Sequence, residues 1–208
     1  MTMLLLHGAL GARTQLDALA SLISRRQTVH QVEFEGHGET PHRDRPFTVD
    51  GFVENVISAM DAAGLSKVDV FGYSLGGYVG LALALARPER VSTITTLGTK
   101  FEWNADVAAS LVTRLRKVDA PEPLHERTTD FLTRLGERPP LGRTELARIH
   151  HRVRIMVGDR DATVSVEESA AAYRQLPSGE LMVLPRTTHP MEQVDAYRLA
   201  DILIELAS

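Results

Sequence analysis

The chain has no cysteine among its 208 residues, which excludes disulfides, thiolate metal sites and a cysteine nucleophile, and fits a reducing cytoplasm. It has no block of basic residues either. Arg25-Arg26 and His150-His151-Arg152 are short and isolated, and the formal net charge is -4, so neither nucleic acid nor an anionic membrane is implied as a partner. No apolar run approaches the roughly 18 residues needed to cross a bilayer. The apolar stretch at residues 3–10 lacks a basic leading segment and is interrupted by His7-Gly8, so it does not read as a secretion signal. Internal repeats and low-complexity segments are also missing. What these absences leave is a soluble, intracellular, cytoplasmic protein, with 43% hydrophobic and 24% charged residues and a length suited to one domain over 1–208.

What is present is an alternation of short apolar runs with amphipathic stretches, which predicts a parallel sheet with helices on both faces. Strands are expected over Leu4-Leu5-Leu6, residues 28–34, 68–71, 91–97, 153–157 and 181–184. Helical spacing appears in residues 14–25 through Leu16, Leu19, Ala20 and Ile23, and in 50–63 through Phe52, Val53, Val56, Ile57 and Met60. Asp50 is the expected N-cap of the second of these and Gly64 its stop. Residues 98–152 break the rhythm. Asn104 reads as an N-cap before Val107, Leu111, Leu115 and Val118. Pro121 and Pro123 then precede a second amphipathic piece, and Pro139-Pro140 precedes a short helix expected over 146–149.

Within this pattern, Gly72-Tyr73-Ser74-Leu75-Gly76 reads G-x-S-x-G between an apolar strand and an Ala- and Leu-rich helix. A serine at such a turn sits on a tight bend that pushes its hydroxyl out above the sheet, with glycines where the backbone is too crowded for side chains. A glycine-rich turn carrying an incidental serine is the other reading. The surrounding order weighs against it. A strand ending in His7-Gly8 comes first, and downstream strands run into Gly158-Asp159-Arg160-Asp161 and Thr187-Thr188-His189-Pro190.

Nucleophile, acid and histidine in this order, each just past the C-terminal end of a strand, resemble the α/β-hydrolases, and the resemblance covers nearly the whole chain. It implies a three-layer α/β/α sandwich around a mostly parallel sheet of about six strands. Family members normally carry two strands before the His-Gly strand, so the expected sheet lacks those first two. Residues 98–152 then correspond to a small helical cap inserted in the one domain. The resemblance casts Ser74 as nucleophile and His189 as base, although Thr188 stands where the family often has glycine. The family's G-x-x-D selects Asp161 as the acid, with Asp159 fixing the turn, and Glu102 and Asp106 as distant alternatives. The backbone N–H groups of Leu75 and Ala9, or of Leu10 in place of Ala9, would form the oxyanion hole. Of the other histidines, His7 is expected to order its loop and His37 to serve a Gly-His-Gly turn. His30, His42, His125, His150 and His151 read as surface residues. Tyr73, Tyr78, Phe101 and Trp103 either line a pocket or pack the core.

The implied activity is a serine hydrolase cleaving a small ester or similar acyl bond through an acyl-enzyme, with no metal or organic cofactor. Haloalkane dehalogenases resemble the scaffold but use an aspartate nucleophile, which Ser74 argues against. The menaquinone-pathway member that eliminates pyruvate shares a G-Y-S-x-G-G signature but follows it with arginine, where this chain has Tyr78. A carbon–carbon bond hydrolase of the meta-cleavage type remains an alternative, and a small-molecule receptor with slow turnover a lesser one. The partner is expected to be a small-molecule substrate. The chain itself is expected as a monomer, or as a homodimer through the strand at 28–34, an expected sheet edge carrying His30, Gln31 and Glu33. Arg114, Arg116, Lys117 and Arg134 in the cap are offset by Glu102, Asp106, Asp119 and Asp130, so no single-sign field marks an anionic substrate.

Overall fold

The computed structural model describes residues 1–206. Six strands, β1 (Thr2–Leu6), β2 (Val29–Val32), β3 (Val68–Tyr73), β4 (Val91–Leu97), β5 (Arg152–Gly158) and β6 (Gly179–Leu184), form one sheet in the order β2-β1-β3-β4-β5-β6. Every neighbouring pair is parallel. The central strand β3 is buried at all six positions, as a parallel strand covered on both faces must be.

Alternation along the strands divides the core in two. Leu4, Leu6, Val68, Val70 and Ile94 face one layer, built on α2 (Val49–Ala62), α3 (Leu75–Ala86) and α7 (Val166–Tyr173). Met3, Leu5, Phe71 and Met156 face the other, where α1 (Asp17–Ile23) packs against α8 (Ala196–Leu206). This is the three-layer α/β/α architecture that the alternating pattern predicts. Between β4 and β5 stand α4 (Ala105–Leu115), α5 (Glu122–Glu137) and the short α6 (Arg143–Leu146), with α4 and α5 packed on each other. The side chain of Asn104 caps α4, accepting the Val107 N–H at 2.9 Å.

Three local expectations need correction. Strand β2 stops at Val32 and does not run to residue 34, because the Phe34 N–H is taken by His7 Nε2 at 3.1 Å and the Glu35 N–H by Asn55 Oδ1 at 3.1 Å. The cap of α2 is Thr48, whose hydroxyl accepts the Gly51 N–H at 2.9 Å, and Asp50 sits inside the first turn, where its charge suits the helix dipole. Helix α6 begins one turn earlier than the spacing suggests. Glu145 reaches back to the Gly142 N–H at 3.0 Å and starts it there.

Candidate active site

Because β3 ends at Tyr73 and α3 begins at Leu75, Ser74 alone takes up the reversal between them. Its φ of 51° is in the left-handed region, which a residue with a Cβ rarely adopts. Such a conformation costs on the order of 1–3 kcal/mol and persists only where surroundings enforce it. Here they do. The Ser74 N–H donates to the Leu97 carbonyl at 2.8 Å, and the Ser74 carbonyl accepts the Gly77 N–H at 3.1 Å and the Thr99 hydroxyl at 3.0 Å. A Cβ on Gly72 would lie 2.3 Å from the Gly77 nitrogen, so the bend closes only with glycine there. One on Gly76 would lie 2.2 Å from the Leu6 carbonyl oxygen, so this glycine lets α3 sit against the end of β1.

The loops after β5 and β6 bring Asp161 and His189 together, with Oδ2 and Nδ1 2.8 Å apart. The other oxygen of Asp161 accepts the N–H groups of Thr163 at 2.7 Å and Val164 at 2.8 Å. Its side chain is 2% exposed and that of His189 19%. A carboxylate only accepts, so Nδ1 carries the ring proton and Nε2, on the far edge of the ring, is the basic nitrogen. Asp159 is exposed and accepts the Thr187 N–H at 3.2 Å, joining the two loops without touching the imidazole.

Ser74 and His189 line one cavity of about 260 Å³, together with Ala9 and Leu75. Leu75 is the first residue of α3, so its N–H is a donor that the helix leaves without a carbonyl. Ala9 sits in a turn closed by the Gly11 N–H on the Gly8 carbonyl at 3.2 Å, and Gln15 Oε1 braces it by accepting the Gly8 N–H at 3.1 Å. Leu10, in the same turn, has φ of 57° and buries its side chain. Tyr73, Tyr78 and Trp103 line the cavity, whereas Phe101 packs against the core. Leu111, Leu115, Leu132 and Leu135 bring α4 and α5 to its walls. Among the described residues no group of three or more His, Asp or Glu side chains could hold a metal ion.

Several neighbours of the site escape sequence reasoning. The Tyr73 hydroxyl donates to the His189 carbonyl at 3.0 Å, and burial pushes its pKa up. A Cβ on Gly98, at the end of β4 with φ of 61°, would come within 3.1 Å of His189 Nδ1 and 3.2 Å of Asp161 Oδ2, so glycine there leaves room for the pair. Glu168 of α7, almost wholly buried, accepts from Lys100 Nζ at 2.6 Å and from the N–H groups of Phe101 at 2.6 Å and Glu102 at 2.7 Å. It clips the segment leading from β4 into α4 onto the core. Lys100, Arg114 and Glu192 bring charge to the cavity wall, with the Arg114 guanidinium donating to the Ala162 carbonyl.

Residues 2–124 match the family described as the alpha/beta hydrolase fold. The chain is 30% identical over 102 residues to the pimeloyl-(acyl-carrier protein) methyl ester esterase of Neisseria meningitidis serogroup B, a match covering 49% of this chain and 38% of that protein. It is 33% identical over 100 residues to the 2-hydroxymuconate semialdehyde hydrolase of Pseudomonas putida, covering 46% of this chain and 35% of that one. The chain thus spans little more than a third of the length of these curated relatives. Among solved structures, a thermophilic esterase from Thermogutta terrifontis superposes with a TM-score of 0.83 at 21% identity, covering 100% of this chain and 89% of that one.

Proposed function

The chain belongs to the alpha/beta hydrolase fold family, and on that premise we propose that it is a serine hydrolase cleaving a small ester or similar acyl bond. The observation that carries the reading is the 2.8 Å contact between His189 Nδ1 and the buried side chain of Asp161, with His189 lining the same cavity as the strained Ser74. Ser74 Oγ attacks the acyl carbon while His189 Nε2 takes its proton. Asp161 holds the tautomer and stabilises the imidazolium, and the N–H groups of Leu75 and Ala9 receive the oxyanion. The proton then passes to the leaving oxygen. Water, deprotonated by the same nitrogen, releases the acyl group and returns the enzyme to its starting state.

A cavity of about 260 Å³ lies at the small end of ligand pockets, which supports a short acyl group. Helices α4 to α6 act in this reading as a small cap inserted in one domain. The enzyme works as a monomer or homodimer in the cytoplasm, on a small-molecule substrate. Carbon–carbon bond hydrolysis of the meta-cleavage type is the second reading, favoured by the likeness to the hydroxymuconate semialdehyde hydrolase. The deciding experiment is a series of p-nitrophenyl esters from acetate to octanoate, run beside a thioester and a meta-cleavage dienoate. Highest kcat/KM on acetate to butyrate esters supports the first reading. Turnover of the dienoate alone replaces it with the second.

A further inference from the structure

Tyr73 is the last residue of β3 and stands immediately before Ser74, and its ring reaches two other parts of the site. It packs in the layer that holds Leu184 and Met191, almost wholly buried. On one side lies the loop after β1. A Cβ placed on Gly8 would come within 2.7 Å of Tyr73 Cε1 and 2.9 Å of Cδ1, so the ring rests directly on the Gly8 backbone. Gly8 does not have the positive φ that favours glycine, so the ring and not the turn demands glycine there. On the other side lies His189. The Tyr73 hydroxyl donates to the His189 carbonyl at 3.0 Å, and the two ring centroids are 5.5 Å apart.

We propose that Tyr73 is a positioning residue that sets the spacing between the oxyanion loop and the His189 loop, a role that rests on the serine-hydrolase reading above. Three groups must meet at the reacting carbon in that reading: Ser74 Oγ, the His189 imidazole and the Ala9 N–H. They come from three separate loops. Tyr73 is joined to the first by its own peptide bond. Its hydroxyl holds the backbone of the second, and its ring supports the residue before Ala9 in the third. The Gly8 turn is braced on its own side by Gln15 and by the Gly11 N–H, and the ring supports it from β3. Tyr73 also lines the cavity, so a direct contact with substrate is the competing role. Kinetics separate the two, because lost alignment lowers kcat whereas a lost ground-state contact raises KM.

Hydrolysis of p-nitrophenyl butyrate tests this in Tyr73→Phe, Tyr73→Val, Gly8→Ala and the double variant Tyr73→Val/Gly8→Ala. Tyr73→Phe keeps the ring and removes only the hydroxyl. It should lower kcat about 10- to 100-fold, the effect of a misplacement of about 1 Å. Its KM should stay within about twofold of wild type. Gly8→Ala should lower kcat to a similar extent, because its methyl is driven into the ring. Tyr73→Val has no δ or ε atoms for that methyl to meet. Adding Gly8→Ala to Tyr73→Val should therefore cost little beyond Tyr73→Val alone. A Tyr73→Phe enzyme with wild-type kcat, whether or not its KM rises, would overturn the positioning role and leave the hydrolase reading intact. So would a Gly8→Ala enzyme with wild-type kcat, or losses from Gly8→Ala and Tyr73→Val that multiply. Tyr73→Phe, which leaves the core filled, decides the matter even where Tyr73→Val does not fold. A wild type that neither turns over the ester nor reacts with a fluorophosphonate would overturn the hydrolase reading, and the positioning role with it.

Discussion

His7 and His189 stand on loops that both follow the C-terminal ends of parallel strands, one after β1 and the other after β6, and their surroundings give them opposite capacities. His7 is fully buried, with Nδ1 donating to the Gly8 carbonyl at 2.8 Å and Nε2 accepting the Phe34 N–H at 3.1 Å. Both nitrogens are committed to backbone, in the pattern only a neutral imidazole can satisfy. Burial first, and the neighbouring His37 second, push its pKa down to about 4. His189 has one nitrogen on a carboxylate and lines the cavity, and its other nitrogen has no hydrogen-bond partner among the described residues. A histidine with two backbone partners is a fixed structural link. One oriented by an acid and open on its far side can carry a proton between reacting groups.

The largest effect that would test this contrast is on turnover. His189→Ala should lower kcat by about 10⁵-fold or more with little change in melting temperature. In His7→Ala, the kcat of the folded fraction should stay within about an order of magnitude of wild type while stability falls. Comparable losses of kcat in both variants would erase the distinction. Next in size is the acid. Asp161→Asn should cost about 10⁴-fold in kcat by permitting the wrong tautomer. Exposed Asp159, whose side chain accepts the Thr187 N–H, should tolerate the same change with a small effect. The reverse ranking would move the acid to Asp159.

The His7 side of the comparison is sharpened by pH. Its pKa is lower in the folded protein than the usual 6.5, so the unfolded chain takes up the proton first as pH falls. The stability it contributes is therefore complete above about pH 6.5 and is lost progressively as pH falls towards 4. The amount at stake is roughly 3 kcal/mol. Urea unfolding from pH 7 to 4 should show this slope, and His7→Ala should flatten it. His37, also buried and lowered in pKa by desolvation, contributes in the same direction in both proteins. The His7→Ala change itself, which strands the buried Phe34 N–H, should cost about 1–3 kcal/mol at pH 7.

The two regions were not equally readable in the chain. Ser74, Asp161 and His189 each stand in a short signature at the end of an apolar run, so local pattern and chain order are enough to nominate them as candidates. The sheet is readable for the same reason, since each strand declares itself by its own apolar residues. The partners that hold the site are a different matter. Tyr73 grips His189 from 116 residues away in sequence, and Glu168 clips the 100–102 segment from 66 to 68 residues away. No periodicity records such pairings, because tertiary approach alone creates them. The same is true of the Phe34 N–H that His7 captures, which is why β2 ends sooner than its apolar pattern suggests. Thr48 and Asp50 are both good caps by composition, and only the backbone geometry at Thr48, extended and facing the Gly51 N–H, decides between them.

The central claim is that Ser74, held in a conformation its side chain disfavours, is the group that attacks. Treating the protein with a fluorophosphonate and locating the adduct by peptide mass spectrometry tests this most directly. The account expects one adduct per chain, on Ser74, with none on Ser74→Ala and strongly slowed labelling on His189→Ala. Adduct on another residue, or labelling that survives Ser74→Ala, would contradict it.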